Sequence, residues 1–554
     1  MAKLTTEIKP ELYGNKPNRI YSGIMVAFII LTLTVFPLFY DNYYFNIMRA
    51  KYAFYYVSVL AAFSFCLIIT LVYMFIDQRE NEGEQRKRIL AALAPKKLWK
   101  SLTIAEKTLL IFLTFAIIST LQSDYVYEAF WGNEGRYSGL FLISLYCLSV
   151  LLIGRLARIR KWHLELFLLA SVLVCLFGIT DYFNMDVLHF KVNLKPNDAK
   201  NFTSTMGNIN TYTAYVALAV GVSAGLFATE KNIFRAFFHY IVVLVTFFAI
   251  ITGQSDNAYL ALGALFGLMP LIAFTTRTGI KRCAILIAGF ITILKLIADI
   301  NLKMPDKVIG LSGIFRILTQ YDKLSQIVIA IWLLVIVLYI GDWILLKNKE
   351  DRLGNWPRII WGALLAAGIA AIVYVLYDAN FGGDPEKYQA ISQYVIFNDS
   401  WGTSRGYCWR IGWESYRSLP LQHRLFGFGP DTFGILTWDF RAESIEQYGV
   451  FYESAHNEYF QYLVTMGPFA LAAYLAFLGS SCWLMIKNFA RCPWILGPLA
   501  AVVCYGAQAL VNINLPIATP VMWTLLAVVL AVCREASQKS SAELRADGSG
   551  VTYN

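Results

Sequence analysis

Long apolar runs, most of them close to 20 residues, recur along almost the whole chain. A helix of that length crosses a hydrocarbon core about 30 Å thick, because each residue adds about 1.5 Å. The pattern therefore predicts an all-α, polytopic integral membrane protein. We place about fourteen spans (twelve to fourteen, because several are short) at 20–40, 52–76, 108–122, 138–154, 163–181, 211–228, 237–252, 257–275, 283–300, 326–346, 359–377, 468–486, 495–512 and 520–533.

Basic residues cluster in alternate connections between these spans. Because cytoplasmic segments of membrane proteins carry the excess of Lys and Arg, this asymmetry predicts that both termini are cytoplasmic. The polar C-terminal tail is expected to be disordered. The predicted organisation is a cytoplasmic N-terminal tail at 1–19, eleven helices at 20–377, a long extracytoplasmic loop at 378–467, three helices at 468–533 and a cytoplasmic tail at 534–554.

Composition supports this class and excludes others. Of the 554 residues, 57% are hydrophobic and 15% are charged, whereas soluble domains carry about 25% charged residues. The net charge of +10 does not indicate nucleic-acid binding, because no basic stripe lies on a soluble domain. The nine cysteines include no Cys-x-x-Cys pair, so neither a zinc site nor a disulfide framework is predicted. The lipid bilayer is the one partner that composition requires.

The loop at 378–467 offers the one large cluster of groups able to do chemistry. Arg405 and Arg410 punctuate an aromatic stretch, SRGYCWRIGWESY, at 404–416. A guanidinium group binds phosphate oxygens in pairs and keeps its charge, so both residues are candidate phosphate ligands. The alternative is that they extend from the membrane to the headgroup region as anchors.

Two further motifs follow in the same loop. Gly427 and Gly429 allow a tight turn whose backbone N–H groups could face a phosphate, although the lysine of a P-loop is missing. Ser454 is a plausible N-cap that would place His456 in the first turn of a helix. The positive end of that helix would favour a neutral imidazole, so His456 is the candidate base. The alternative is a purely structural histidine. Gly467-Pro468 is expected to bend the chain before the next span.

Three shorter outer connections carry the other candidates. Arg136 is the one cation in a Gly- and aromatic-rich turn, where it could anchor the chain or bind substrate. Asn208 and Asn210 precede a span; such amides cap a helix, with Asn210-Thr211 the favoured cap, or line an anion or sugar site. Arg316, in the interfacial loop at 301–325, could be an anchor or a phosphate ligand.

These motifs together resemble the O-antigen ligase and polymerase superfamily. The resemblance lies in GFGPDTFGIL at 427–436 followed by Arg441, AHNEYFQYLVTMGPF at 455–469, SRGYCWRIGWESY upstream and TMGNINTYTAYVAL at 205–218. It implies a polytopic glycosyltransferase with a GT-C-like fold in the bacterial cytoplasmic membrane. Such an enzyme would transfer a glycan from an undecaprenyl-diphosphate carrier to a hydroxyl of a glycan or lipid acceptor on the outer face. His456 would be the base, and Arg405, supported by Arg410, would hold the diphosphate.

The substrate-binding set is completed by Arg316, Arg136, Asn457, Asn208 and Asn210. The family commonly has Ser-Arg at a mid-chain turn where this chain has Ser255-Asp256, so Arg316 or Arg136 must supply the missing cation. No Asp-x-Asp motif calls for a bridging metal, and arginines can stabilise a diphosphate leaving group; no cofactor is expected, and the transfer is predicted to be metal-independent and inverting. A repeat-unit polymerase of the same superfamily, or a lipid-linked glycan flippase or exporter, is the alternative.

Overall fold

In the part of the chain that the structure describes, the fold is all-α apart from one short hairpin of two two-residue strands. The computed structural model describes residues 16–80, 82–92, 94–346 and 349–546. Within that part of the chain, twelve helices are long and apolar enough to span a membrane, and two more apolar helices are shorter. These fourteen correspond one to one with the predicted spans. They are α1 (Asn18–Leu38), α2 (Ile47–Glu80), α3 (Ile104–Leu121), α4 (Leu140–Leu156), α5 (Lys161–Tyr182), α6 (Ile209–Thr229), α7 (Ile233–Thr252), α8 (Asn257–Ala273), α9 (Arg277–Lys303), α10 (Leu324–Leu346), α11 (Trp356–Phe381), α12 (Glu458–Asn488), α13 (Pro493–Val511) and α14 (Thr519–Ala546).

Short elements fill the connections. Phe202–Thr203 and Gly207–Asn208 form the antiparallel hairpin just before α6. The long loop contains helices at Ser392–Val395, Trp401–Ser418, Leu421–Phe426, Phe433–Leu436 and Arg441–Tyr448. Other connections contain short helices at Glu84–Ala92, Pro95–Ser101, Val126–Trp131, Pro196–Ala199 and Gly313–Thr319.

The central element is α6, whose apolar window is wholly buried inside the protein. It approaches α13 closely through two glycines one helical turn apart. A Cβ atom on Gly221 would lie 2.3 Å from the backbone nitrogen of Ala501, and one on Gly225 would lie 2.5 Å from the Cα atom of Gly497. Small residues four apart let membrane helices pack backbone to backbone. This contact holds α6 as a fixed support for the residues at its N-terminal end.

By contrast, α10 and α11 lie at the periphery, since almost none of their apolar windows is buried within the chain. Their exposed leucine, isoleucine and aromatic side chains are the surface expected to contact lipid. The connections α3–α4, α5–α6, α7–α8, α11–α12 and α13–α14 meet on one side of the helix bundle, where hydrogen bonds join Ser138 to Asn514 and Asn512 to Asn210.

The ends of the chain differ from expectation at one point. The polar segment predicted to be disordered after residue 533 continues α14 as a helix to Ala546. Its remainder, 547–554, and most of the predicted N-terminal tail, 1–15, lie outside the described residues.

Candidate active site

His456 lies between the last helix of the long loop and α12. Its backbone is left-handed, with a φ of 48°, a conformation that histidine adopts more often than most residues. The hydroxyl oxygen of Ser454 accepts a hydrogen bond from the His456 amide at 3.2 Å. Asn457 caps α12, because its side-chain oxygen accepts from the amide of Phe460 at 3.0 Å. Turn-forming side chains on both sides therefore fix the position of the imidazole.

The predicted cap is wrong by three residues. Ser454 does not cap the helix, and His456 does not lie in its first turn, because α12 begins at Glu458 after the Asn457 cap. Serine and asparagine are both favoured N-caps, so local sequence could not separate them. The predicted substrate-binding residue Asn457 thus uses its side-chain oxygen to begin the helix.

The His456 imidazole is half-buried near two guanidinium groups. Burial, and then the positive charges of Arg136 and Arg405, lower the pKa of His456 to about 3. The neutral form was predicted from the helix end; burial and two nearby cations account for it instead. Within the described residues neither ring nitrogen of His456 has a hydrogen-bond partner, so the lone pair is open to a substrate.

Arg405, one of the two cations, is 8% exposed and starts the regular part of the helix Trp401–Ser418. Its Nε donates to the carbonyl oxygen of Val511 at 2.8 Å, and its Nη1 donates to the carbonyl oxygen of Gly402. The preceding residues 402–404 all have φ between 60° and 67°. Non-glycine residues in that region cost about 1–3 kcal/mol each, and they are concentrated at functional sites. Neighbouring elements therefore hold Arg405 in place.

Asp256 occupies the turn where the resemblance led us to expect a cation. Burial raises the pKa of the Asp256 carboxyl group above its usual value. The positive charge of Arg405, which the carboxyl group faces, opposes this shift but is the smaller effect. The turn between α7 and α8 therefore brings a carboxyl group to the cluster. A replacement cation has to come from elsewhere.

Arg136 is the second cation near His456. It lies in the turn between Val126–Trp131 and α4, and its buried Nε has no hydrogen-bond partner. The nearest carboxylate, that of Glu453, is 3.9 Å from this nitrogen. Of the two candidates for the missing cation, the structure brings Arg136, and not Arg316, to His456.

Asp431 holds the turn that presents Arg136, and sequence reasoning missed it. Its Oδ2 accepts hydrogen bonds from the amides of Asn133 at 2.9 Å and Ser138 at 3.0 Å. Burial raises the pKa of Asp431 to about 6 against the opposing effect of Arg136, so the carboxylate is mainly ionised at neutral pH. Its φ of 60° is a further positive value at the site. The Gly-Pro-Asp sequence marked a turn, but not the partner that the turn would bind.

The glycine turn before Asp431 does not offer its N–H groups to a phosphate. The amides of Phe428 and Gly429 donate to the carbonyl oxygen of Thr465 at 2.7 and 2.8 Å. That carbonyl lacks a helical partner because α12 breaks at Gly467, where φ is 81° and ψ is 168°. The predicted bend is confirmed, and the phosphate-loop interpretation of Gly427 and Gly429 is wrong.

Two predicted arginines lie apart from this cluster. Arg410 is bound by carboxylates: Asp399 at 3.0 Å, Glu443 at 2.7 Å and Glu414 at 3.6 Å. Arg316 is exposed on the short helix Gly313–Thr319 and forms no ion pair among the described residues. Neither guanidinium contributes to the electrostatic environment of His456.

Asn208 and Asn210 lie at the start of α6, close to the cluster, because Asn210 bonds Asn512 and Arg405 bonds the adjacent Val511. Asn208 is the N-cap of α6, and its side-chain oxygen accepts from the amide of Asn210 at 2.8 Å; the predicted cap at Asn210-Thr211 is therefore wrong by two residues. The side chain of Asn210 accepts from the Ser255 hydroxyl at 2.6 Å. Its backbone carbonyl oxygen accepts from the side-chain Nδ2 groups of Asn257 and Asn512 at 2.9 and 3.0 Å. This network ties three connections together.

Glu458 is a second buried carboxyl group that the sequence did not single out. It is 1% exposed, and the hydroxyl of Tyr474 donates to it at 2.6 Å. Together with Arg136, Asp431 and Ser454 it lines a small cavity of about 20 Å³. His456 lies in the chain between the lining residues Ser454 and Glu458 and is not itself part of the lining. Asn514 also lines the cavity, and its buried side-chain oxygen has no hydrogen-bond partner. The cavity thus contains both donors and acceptors, and its volume of about 20 Å³ suits a water molecule or one small polar group.

Among the described residues, one group has the donor set of a metal site: Glu165, Glu230 and His239. It lies at the opposite end of α6 from Asn208. Lys161 pairs with Glu230, and Arg235 lies 3.8 Å from Glu165, so side-chain cations already neutralise the carboxylates. The predicted lack of a metal at the His456 site remains a prediction.

Replacing Asp431 with alanine is expected to destabilise the protein and to weaken donor binding. Two amides would lose their acceptor, and each buried unpaired N–H costs about 1–3 kcal/mol. The melting temperature of detergent-solubilised protein should fall, and the KM for the donor should rise because Arg136 is no longer oriented. Glu446→Ala, at an exposed carboxylate of the same loop, is the control. An unchanged donor KM in Asp431→Ala would contradict the positioning role.

Comparison with known families matches part of the chain. The sequence model of a family described as O-antigen ligase matches residues 309–475. That region includes His456, Arg405 and Asp431, whereas Arg136, Asn208 and Asn210 lie outside it. No curated protein matches the chain.

Proposed function

The chain belongs to the O-antigen ligase and polymerase superfamily, and from this premise we propose that it transfers a glycan from a lipid diphosphate to an acceptor hydroxyl. The observation that carries the proposal is that the His456 imidazole lies within the electrostatic influence of the guanidinium groups of Arg136 and Arg405. Arg136 also lines a small polar cavity. An imidazole without a protein partner can act as a general base, and the buried Arg405 with the half-buried Arg136 can bind an anionic leaving group.

The donor we propose is a glycan on undecaprenyl diphosphate. Arg136 and Arg405 would bind the diphosphate oxygens, because guanidinium groups pair with phosphate in two-point hydrogen bonds. Arg136 has an unpaired Nε available for this contact. The leaving diphosphate then needs charge stabilisation more than protonation.

In the proposed step the acceptor hydroxyl oxygen attacks the anomeric carbon while His456 takes the hydroxyl proton. The bond from that carbon to the diphosphate oxygen breaks, and its electron pair leaves with the lipid diphosphate. Attack opposite to the leaving group inverts the anomeric configuration. The products are the glycosylated acceptor, lipid diphosphate and an imidazolium on His456, which returns its proton to solvent.

The low pKa of His456 has a role in this scheme. A base with a pKa of about 3 accepts a proton poorly in the empty site. A diphosphate bound by Arg136 and Arg405 would offset their charges, so the pKa of His456 would rise when the donor is present. The base would therefore become effective mainly when the leaving group is bound.

We place this site on the outer face of the bacterial cytoplasmic membrane with both termini inside, as the basic segments favour. Lipid-linked sugars are the activated donors available there. The acceptor is a glycan or a lipid carrying a free hydroxyl.

Reconstituted protein should transfer glycan from its extracted lipid-linked donor, and transfer should persist in excess EDTA because arginines stabilise the leaving group. A single new bond per glycan indicates a ligase, whereas a ladder of products indicates the polymerase alternative. Loss of activity in EDTA that Mg²⁺ restores would contradict the metal-independent mechanism. Glycan crossing sealed vesicles without any new glycosidic bond would support transport instead.

A further inference from the structure

An exposed tryptophan marks a second surface in the long loop. Trp438 lies in the turn Trp438–Phe440, and its side chain is 55% exposed. It lines an open pocket with Asp439, Arg441, Ala442 and Ile445. Ligand sites commonly combine aromatic walls with a few polar groups that fix orientation.

The Trp438 ring is held in a fixed orientation. The guanidinium of Arg441 lies 4.5 Å from its centroid, and the Phe451 ring contacts it edge to face with centroids 5.8 Å apart. Both arrangements are favourable for an aromatic quadrupole. The ring remains more than half exposed with both neighbours in place.

Two ring pairs lie along the chain between this surface and the candidate base: Trp438 with Phe451, and Tyr452 with His456. Phe451 is followed in sequence by Tyr452, and the Tyr452 ring meets the His456 ring edge to face with centroids 6.5 Å apart. Tyr452 is itself supported by Tyr407, at 5.9 Å between centroids. The four rings Trp438, Phe451, Tyr452 and His456 define what we term the aromatic track.

Charge distinguishes this surface from a membrane anchor. The segment from Trp438 to Tyr448 carries Arg441 against Asp439, Glu443 and Glu446, so it is net negative. Anionic headgroups attract basic segments and repel acidic ones. A glycan is a better match, because the C–H faces of sugar rings pack on aromatic rings while their hydroxyls hydrogen-bond to carboxylate and guanidinium groups.

We propose that the aromatic track binds the glycan chain several sugars away from the bond at which transfer occurs, with Trp438 as its outer subsite. The location of the reactive end rests on the proposed function. Binding of the glycan to Trp438 does not depend on the proposed function. Long glycans would reach Trp438, and short ones would contact only Tyr452 and His456.

The test measures binding of released glycans to the full-length protein in nanodiscs. Undecaprenyl-linked glycans from cells lacking this protein are cleaved from the lipid by mild acid and separated into short and long fractions. Trp438→Ala should weaken binding of the long fraction by about 3- to 10-fold, which corresponds to the loss of one aromatic contact. Binding of the short fraction should not change.

Trp413→Ala is the matched control, because Trp413 is 44% exposed in the same loop but stacks on Tyr416 away from the aromatic track. Phe451→Leu provides a second variant that keeps an apolar side chain if Trp438→Ala lowers the melting temperature. Equal affinities of wild type and both track variants for the long fraction would overturn the proposal. Wild-type binding that depends on Trp438 without any transfer would instead refute the proposed function alone.

Discussion

Substitution of His456 by alanine is expected to lower kcat by about 10²–10⁴-fold, the usual contribution of a general base, while membrane levels of the protein stay normal. The KM for the donor should change little, because Arg136 and Arg405, and not the imidazole, are proposed to bind the diphosphate. The measurement is single-turnover transfer from lipid-linked donor by reconstituted protein.

His189→Ala is the matched control for this variant. His189 is an exposed histidine in the connection before α6, and its φ of 55° is close to the 48° of His456. Alanine therefore meets a similar backbone penalty at both positions, and only the loss of the base differs. Equal activity of the two variants would exclude His456 as the base.

The pH dependence separates the empty site from the occupied one. Transfer needs neutral His456, so the rate falls as pH drops through its pKa. The profile of kcat/KM reports the free enzyme, where that pKa is about 3, and kcat reports the enzyme with donor bound. If a diphosphate offsets Arg136 and Arg405, the acid limb of kcat attributable to His456 lies at higher pH than that of kcat/KM. Coincident limbs would contradict activation by the donor.

Arg136→Ala is expected to lower kcat by about 10²–10³-fold, as loss of one preorganised donor to a developing anion does. Arg136→Lys should recover part of the rate, since a lysine keeps the charge but not the two-point geometry. Both variants are compared in the same reconstituted transfer assay.

Arg316→Ala provides the contrast, because Arg316 is exposed, lies on the same side and has no ion pair among the described residues. We expect its rate to stay close to wild type. If Arg316→Ala lowered the transfer rate more than Arg136→Ala, Arg316 and not Arg136 would be the cation that replaces the one missing near Asp256.

The membrane helices were predictable because hydrophobicity is a local property. Each predicted span has its helix, including the two shorter ones at Leu140–Leu156 and Asn257–Ala273. The helix break at Gly467 was also predictable, since a Gly-Pro sequence disfavours a continuous helix. The Asn457 cap was not predictable, because Ser454 and Asn457 are both favoured N-caps and lie three positions apart.

Only those site residues that can be recognised by residue type were predictable from the sequence. His456 and Arg405 stood out by residue type, but the role of Asp431 depends on amides about 300 residues earlier in the chain. The same limit explains Arg410, whose partners Asp399 and Glu443 are eleven and 33 residues away. Sequence spacing indicates which groups are present, and long-range contacts decide which of them remain available.

The interruption of α12 at Gly467 bears on how deep the two parts of this helix lie in the bilayer. The uninterrupted part, Pro468 to Asn488, has about 21 residues and a length of about 31 Å, which matches the hydrocarbon thickness of about 30 Å. If Pro468–Asn488 spans the hydrocarbon layer, Gly467 would lie where acyl chains meet headgroups, and Glu458–Met466 would lie outside that layer. A prenyl diphosphate keeps its phosphates at that same level, so the lipid tail can stay dissolved in the membrane while the sugar meets water.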